Sequence, residues 1–240
     1  MPYLNIAAYK FIRLEPESLI TTRQQLLEKA QTHRIKGSIL LSTEGINLFL
    51  AAEPEAIRTF IDFLQTFPAF ADLEFKFSDS AKIPYKRLLI RIKSEIITMK
   101  QPQIEPEKQR APYIEPTELK QWYDSKTPML VLDTRNNYEF THGSFVNAVH
   151  LDIANFSDFP EALTQLPESY KSLPVVTFCT GGIRCEKAAT YMLEQGFTQA
   201  RQLKGGILNY FAECAGEYFQ GNCFVFDERV ALNTQLQPIA

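Results

Sequence analysis

The segment with the clearest chemical character is residues 174–187, where an apolar strand ends at Cys179. Gly181 and Gly182 let the backbone curl, and a helical pattern begins at Arg184. The free N–H groups and partial positive charge of a helix N-terminus lower the pKa of a nearby thiol and hold an anion attached to it. The sequence therefore predicts a thiolate at Cys179. The loop around it comprises Thr180, Gly181, Gly182, Ile183 and the permanent cation Arg184.

A cysteine at the end of a buried strand can instead be a small, inert core residue. Two glycines and an arginine have no packing value in such a core, so the sequence favours a reactive Cys179. Cys185 stays open between two roles. It could resolve an oxidised or persulfurated Cys179, or it could be structural, because it falls in the first turn of a helix. Cys214 and Cys223 are expected to be structural.

The composition is that of a globular protein. Of 240 residues, 45% are hydrophobic and 22% are charged, which excludes a disordered chain or a fibrous repeat. The net charge of −3 does not by itself indicate a nucleic-acid-binding protein. No apolar run approaches the roughly 18 residues that cross a bilayer, and no export signal is recognisable, so we expect no membrane partner. Four cysteines without CxxC or zinc spacing predict no metal site and fit a reducing cytoplasm.

Residues 1–100 are predicted to form a first domain, in which strand-like and helix-like patterns alternate. The order β-α-β-β-α-β plus one extra strand is that of a ferredoxin-like, or acylphosphatase-like, sandwich. In this α+β fold two helices pack on one face of an antiparallel sheet. The predicted strands are 3–11, 38–41, 46–50, 74–77 and 88–97, and the predicted helices start near residues 16 and 54.

Residues 101–116 contain four prolines and little apolar periodicity, which predicts a linker. From 117 to 222 strands alternate with helices, which indicates an α/β domain with a parallel sheet covered on both faces. Residues 223–240 are assigned to a C-terminal segment. Sites in such folds form at the carboxyl ends of the strands, where Cys179 is placed.

Cys-x4-Arg between a strand and a helix resembles the active loop of rhodanese domains, which carry sulfur as a cysteine persulfide. The resemblance spans about residues 115–220 and includes VLDTR at 131–135, EFxxG at 139–143 and LKGG at 203–206. Dual-specificity phosphatases of the same architecture use a loop one residue longer to enclose phosphate. Asp133 and Arg135 follow a buried strand and are candidates to support the Cys179 loop rather than to do chemistry.

A narrower resemblance covers nearly the whole chain. The segments STEGIN at 42–47, CTGGIRCEK at 179–187 and CFVFDERV at 223–230 resemble, in this order, the bacterial rhodanese-domain tRNA uridine hydroxylase family. This resemblance implies oxygen-dependent 5-hydroxylation of the wobble uridine in the anticodon arm of tRNA, with Cys179 essential. Many members continue with a cysteine-rich tail, whereas this sequence ends ten residues after Val230. No metal site or RNA contact from such a tail is expected here.

Molecular oxygen is the implied co-substrate and the electron donor is unknown, because the sequence has no metal, haem or flavin signature. Cys179 could add to C6 of uracil as a thiolate, or deliver reducing equivalents as a persulfide. The loop alone predicts a rhodanese-type sulfurtransferase at least as well. A catalytically idle module that binds RNA or a protein is the third alternative. The oligomeric state and the choice of tRNA stay open.

A basic stretch leads into the last strand of the first domain. Cations there alternate in part with apolar residues, so the strand could present them and an aromatic ring to a phosphodiester backbone. The alternative is an ordinary polar sheet face. Together with the resemblance, the pattern favours RNA binding by the first domain. The candidate RNA-binding residues are Lys82, Tyr85, Lys86, Arg87, Arg91 and Lys93.

Overall fold

The computed structural model describes residues 2–239. The chain divides into two compact units, with the boundary between Thr98 and Met99. The first unit contains five strands, two α-helices and a short 3-10 helix at Pro68–Phe70. Its elements are β1 (Tyr3–Phe11), α1 (Pro16–Thr32), β2 (Lys36–Ser42), β3 (Gly45–Ala52), α2 (Pro54–Gln65), β4 (Lys76–Ser80) and β5 (Leu88–Ile92).

The first unit has the predicted acylphosphatase-like architecture, with strand order β4-β1-β3-β2-β5. Proline stands at the start of both helices, where its missing N–H is not needed. On α2, Ile57, Phe60 and Leu64 recur at helical spacing and are fully buried, so this face closes the core over the sheet.

The prediction of a wholly antiparallel sheet is wrong for one strand pair, β2 and β5. These two strands run parallel, with Ile39 opposite Ile90. The chain leaves β4 at one edge and crosses to the opposite edge, which brings β5 alongside β2 in the same direction. The sheet is therefore mixed, and β5 is an edge strand.

The second unit is built on a five-stranded parallel sheet of order β6-β11-β10-β7-β9. All four residues of the central strand β10 are buried, as expected of a strand with neighbours on both sides and packing on both faces. The strands of this sheet are β6 (Tyr113–Ile114), β7 (Leu130–Asp133), β9 (Val149–His150), β10 (Val175–Phe178) and β11 (Ala200–Leu203).

Five helices and two pairs of short antiparallel strands complete the second unit. The helices are α3 (Pro116–Asp124), α4 (Asn137–Phe140), α5 (Phe159–Leu163), α6 (Ile183–Glu194) and α7 (Gly206–Cys214), with 3-10 helices at Phe156–Asp158 and Glu168–Ser172. The antiparallel pairs join β8 (Gly143–Phe145) to β12 (Phe219–Gly221), and β13 (Cys223–Phe224) to β14 (Ala231–Leu232). The predicted α/β domain with a parallel sheet is confirmed, whereas strands β6, β8 and β11 were not predicted.

The predicted linker at 101–116 is not a free connection along its whole length. Tyr113 and Ile114 form β6 and pair with the end of β11, and Ile104 and Ala111 are buried. Prolines exclude a helix here, but they are compatible with an edge strand. A few apolar side chains are therefore enough to fix this segment to the second unit. Within residues 2–239, no helix combines the length and the apolar character needed to span a membrane.

Candidate active site

The Cys179 loop joins the central strand β10 to α6. Gly182 precedes the helix with φ of 102°, a left-handed conformation that favours glycine. Its N–H group donates a hydrogen bond to the Cys179 sulfur at 3.1 Å. The carbonyl oxygens of Cys179 and Thr180 point the other way and accept the N–H groups of the first turn of α7, at 3.0 and 3.1 Å. The loop is thus fixed to α7 through its carbonyl oxygens, while the Gly182 N–H group faces the Cys179 sulfur.

Gly206 permits this close approach of α7. A Cβ atom at residue 206 would lie 2.4 Å from the Cys179 carbonyl oxygen and 2.8 Å from both the Thr180 oxygen and the Gly182 nitrogen. Its φ of 67° also lies in the left-handed region. These contacts explain why the last residue of the LKGG segment is a glycine: any side chain at Gly206 would push the helix away from the loop.

The thiols of Cys179 and Cys185 ionise very differently. Burial alone raises the pKa of Cys179. Four groups outweigh this effect and lower the pKa to about 5: the Cys185 thiol, the Arg184 guanidinium, and the N–H groups of Arg184 and Gly182. Burial and the neighbouring Cys179 raise the pKa of Cys185 well above its ordinary value. The site therefore holds a thiolate at Cys179 that accepts a hydrogen bond from the neutral thiol of Cys185.

The cation of the loop is paired rather than free. Both terminal nitrogens of Arg184 donate to the carboxylate of Glu139, at 2.5 and 2.6 Å, and both side chains are buried. Sequence reasoning did not foresee this pair. The available signal was local: Glu139 lies in the EFxxG segment and forms a capping box with Asn136 at the start of α4. The guanidinium still lowers the pKa of Cys179, but Glu139 occupies its hydrogen-bonding edge.

Asp133 and Arg135 lie beneath the turn that carries Glu139. They form a fully buried ion pair, with Arg135 Nη2 at 2.6 Å from Asp133 Oδ2. The same guanidinium donates to the Gly143 carbonyl at 2.6 Å, and the Ser144 hydroxyl donates to Asp133 at 2.8 Å. This network holds the turn between α4 and β8 in place. We therefore interpret both residues as supports that act on the loop through Glu139.

The C-terminal segment 223–230 lies against the loop, another feature that sequence reasoning missed. The Thr180 hydroxyl donates to the Phe224 carbonyl at 3.2 Å, and the Phe226 ring lies 5.7 Å from the Arg184 guanidinium. Phe226 is nevertheless 44% exposed. Burial raises the pKa of Cys223 to about 12, which keeps this thiol neutral as expected of a structural residue. The alternating aromatic residues of CFVFDERV were the available signal.

The Cys179 sulfur is fully buried, but its immediate partners are polar. Of residues 179–184, all of which the structure describes, Gly181 is half-buried and the other five are buried. The sulfur is surrounded by amide N–H groups, a thiol and a guanidinium, not by aliphatic side chains alone. Because Cys179 is fully buried, a substrate can reach its sulfur only after neighbouring residues move.

The candidate RNA-binding residues flank or lie in edge strand β5. Arg91 lies within this strand, and the Lys93 N–H group donates to the Leu41 carbonyl just beyond its end. Ile92, the last residue of β5, pairs with Leu41 and is 39% exposed. Contact between the candidate RNA-binding residues and RNA stays a prediction. Five of the candidates are exposed and Tyr85 is half-buried: Lys82, Lys86, Arg87, Arg91 and Lys93.

The segment 42–47 has a structural role in the first unit. The Glu44 carboxylate accepts the Ile96 N–H group at 2.6 Å, and the Asn47 amide donates to the Ile96 carbonyl at 3.1 Å. These two bonds fasten the chain after β5 to the hairpin between β2 and β3. Within residues 2–239, no group of three or more His, Cys, Asp or Glu side chains is placed to hold a metal ion.

Comparison with known proteins covers both units. Residues 3–96 match the UPF0176 acylphosphatase-like domain, and residues 115–213 match the rhodanese-like domain. A protein named tRNA uridine(34) hydroxylase from Cupriavidus necator is 49% identical over 99% of this chain and 86% of its own length. Proteins of the same name from Bordetella petrii and Bordetella parapertussis are 48% and 46% identical, over 94% and 98% of their lengths. The chain belongs to the tRNA uridine(34) hydroxylase family.

The close approach of α7 in this member of the tRNA uridine(34) hydroxylase family gives a first prediction. Gly206→Ala is expected to lower the free energy of unfolding of the second unit by about 2–3 kcal/mol, through backbone strain and the clash with the loop carbonyls. Gly196→Ala is the matched control, since φ there is also positive, at 90°, but the nearest atom is Lys171 Cδ at 3.8 Å. Urea denaturation compares the two, and equal losses would contradict the role given to Gly206.

The ionisation of Cys179 gives a second prediction. Because its pKa is lowered to about 5, the sulfur is ionised at neutral pH and takes up a proton only as the pH falls towards 5. Ultraviolet absorbance of the thiolate should therefore titrate with a midpoint near 5 in the native chain. Cys179→Ser should lack this transition, whereas Cys214→Ser should keep it. A midpoint in the ordinary thiol range would refute the proposed electrostatics.

Proposed function

We propose that this chain hydroxylates C5 of the wobble uridine of tRNA, with dioxygen as oxidant and Cys179 as nucleophile. The observation that carries the proposal is the ionised sulfur of Cys179, hydrogen-bonded by the Gly182 N–H group and placed beside Arg184. It occurs in a chain 49% identical over nearly its full length to a tRNA uridine(34) hydroxylase. The structure and the family relationship therefore favour the same class of reaction.

The proposed chemistry begins with conjugate addition. C6 of uracil is electrophilic because the C4 carbonyl withdraws electrons through the C5–C6 double bond, so a thiolate can add there. The addition moves the negative charge of the sulfur to the C5–C4 enolate, and C5 becomes nucleophilic towards dioxygen. Loss of the C5 proton with expulsion of Cys179 then restores the double bond. Dioxygen supplies one oxygen to C5, and two thiols, oxidised to a disulfide, supply the two electrons and two protons that release the other oxygen as water.

Entry of the base requires local movement. An anticodon-loop base is already single-stranded, so presenting it costs little compared with extraction from a duplex. In the structure segment 223–230 contacts the loop at two places: the Phe224 carbonyl accepts the Thr180 hydroxyl, and the Phe226 ring lies beside the Arg184 guanidinium. We infer that this segment yields as the base enters. The exposed ring of Phe226 then offers a face on which the pyrimidine can stack.

The first unit is proposed to hold the anticodon arm. Its candidate cations are exposed, and they lie in edge strand β5 or in the residues that precede and follow it, where a phosphate backbone can approach them without disturbing the core. Such contacts position an RNA without reading its sequence. Choice of the uridine would then rest with the Cys179 loop.

A rhodanese-type sulfurtransferase is the second candidate, and the match of residues 115–213 to the rhodanese-like domain favours it. An anionic sulfur donor needs an available cation near the reacting sulfur. Arg184 is the cation of the loop, and it already makes two hydrogen bonds to Glu139. This pairing weakens the sulfurtransferase alternative relative to attack on a neutral base.

The proposal is tested with unmodified tRNA, the purified chain and a thiol reductant, under air and under argon. Mass spectrometry of the nucleosides should show 5-hydroxyuridine for the native chain under air, and at least a hundredfold less under argon or with Cys179→Ala. Cys214→Ser is the control for loss of a thiol outside the loop. Equal product under argon would exclude dioxygen as oxidant. Absence of product, together with efficient transfer of sulfur from thiosulfate to cyanide, would favour the sulfurtransferase.

RNA binding by β5 gives a separate prediction. The double variant Arg91→Gln, Lys93→Gln should weaken tRNA binding at low salt and reduce the slope of log K against log salt by about one for each cation removed. Arg58→Gln is the matched control, because Arg58 is an exposed cation on α2 of the same unit. Filter binding at several salt concentrations measures the tRNA affinity and the salt slope of each variant. Indistinguishable slopes for the two variants would place the RNA contact elsewhere.

A further inference from the structure

Full reduction of dioxygen during hydroxylation requires more electrons than the uridine supplies. Converting a C–H bond to C–OH uses two of the four electrons that dioxygen accepts, so two more must be supplied. We propose that the Cys179–Cys185 dithiol is the immediate donor of these two electrons and becomes a disulfide once for each base hydroxylated. The inference rests on the proposed function and names the reductant of the same site.

The positions of the two sulfurs support this role. The Cys185 N–H group donates to the Gly182 carbonyl at 3.0 Å, which places Cys185 on the first turn of α6, directly beneath the loop. From there its thiol hydrogen-bonds to the Cys179 sulfur. The Thr134 hydroxyl approaches Cys185 Sγ at 3.7 Å on another side. Gly182 therefore contacts both cysteines, through its N–H group to Cys179 Sγ at 3.1 Å and through its carbonyl oxygen to the Cys185 N–H group, so one loop residue brings the pair together.

Burial makes the pair suitable for controlled oxidation. Both side chains are fully buried, so bulk oxidants reach them only when the loop is open. Cys179 is a thiolate and Cys185 is a thiol. The Cys179 thiolate can therefore attack the Cys185 sulfur once that sulfur has been oxidised. Of the other cysteines, Cys214 ends α7, and Cys223 lies in the segment against the loop, where its thiol donates to the Phe224 carbonyl at 3.6 Å and has its pKa raised by burial. Cys185 is the cysteine whose position allows it to act on Cys179.

The reaction balances with this pair as donor. Cys179 adds to C6, and dioxygen bonds to C5 as a hydroperoxide. The Cys185 sulfur then bonds to the terminal oxygen and becomes a sulfenic acid; the O–O bond breaks, and the thiol proton passes to the oxygen left on C5, which becomes a hydroxyl. Departure of the C5 proton expels the Cys179 thiolate. That thiolate attacks the Cys185 sulfenic acid, the disulfide forms and the second oxygen leaves as water. The sum is uridine, dioxygen and two thiols to 5-hydroxyuridine, disulfide and water.

Further turnovers then need an external dithiol, which reduces the disulfide by exchange. This requirement allows a single-turnover test. The native chain is reduced, freed of reductant under argon, and mixed with unmodified tRNA and air. About one 5-hydroxyuridine per chain should form, with loss of two thiols for each product. Digestion under acid quench should give a peptide pair joined through Cys179 and Cys185. Adding dithiothreitol should restore continued turnover.

Two variants complete the test. Cys185→Ser should lose the single-turnover product by at least tenfold, and Cys214→Ser should retain it. Product formation by the native chain without loss of thiols, or an undiminished yield from Cys185→Ser, would overturn the dithiol proposal and leave the proposed function intact. No product from the native chain under air, even with excess dithiothreitol, would overturn the proposed function itself. Counting thiols on the native chain tests the dithiol proposal even if Cys185→Ser fails to fold.

Discussion

Keeping an ionised sulfur away from water is the physical problem that organises the second unit. Burial alone favours the neutral thiol of Cys179, so the charge persists only because donors surround it. The Gly182 N–H group, the Cys185 thiol and the Arg184 guanidinium provide that environment. Three elements place these donors: β10 leads into the cysteine, α6 carries Arg184 and Cys185, and α7 binds the carbonyl oxygens of the loop.

Two buried ion pairs lie beside the loop, and a single substitution in either pair is expected to destabilise the second unit. Removing one partner of such a pair typically costs about 3–5 kcal/mol, because the other charge is left without compensation. Arg184 with Glu139 and Arg135 with Asp133 are linked through the short turn between α4 and β8. The turn, the loop and α6 are therefore joined to one another by buried ion pairs and a hydrogen bond.

Features that depend on neighbouring residues were predictable from the sequence, and features that depend on distant contacts were not. The Cys179 loop follows from a strand, two glycines and a helical pattern within fourteen residues, and the order of elements identified both folds. The direction of β5 depends on the crossing from the opposite sheet edge, and Glu139 meets Arg184 across 45 residues. Likewise, β6 emerges from a proline-rich stretch because Tyr113 and Ile114 find a partner in β11.

The position of β5 at the sheet edge has a consequence for the behaviour of the protein at high concentration. An edge strand presents unpaired backbone groups that can recruit a strand from another molecule and start aggregation. Arg91 within β5, together with Arg87 and Lys93 at its ends, would bring like charges together if two such edges met. The same cations thus discourage self-association through this edge, whereas a polyanionic partner would meet no such repulsion.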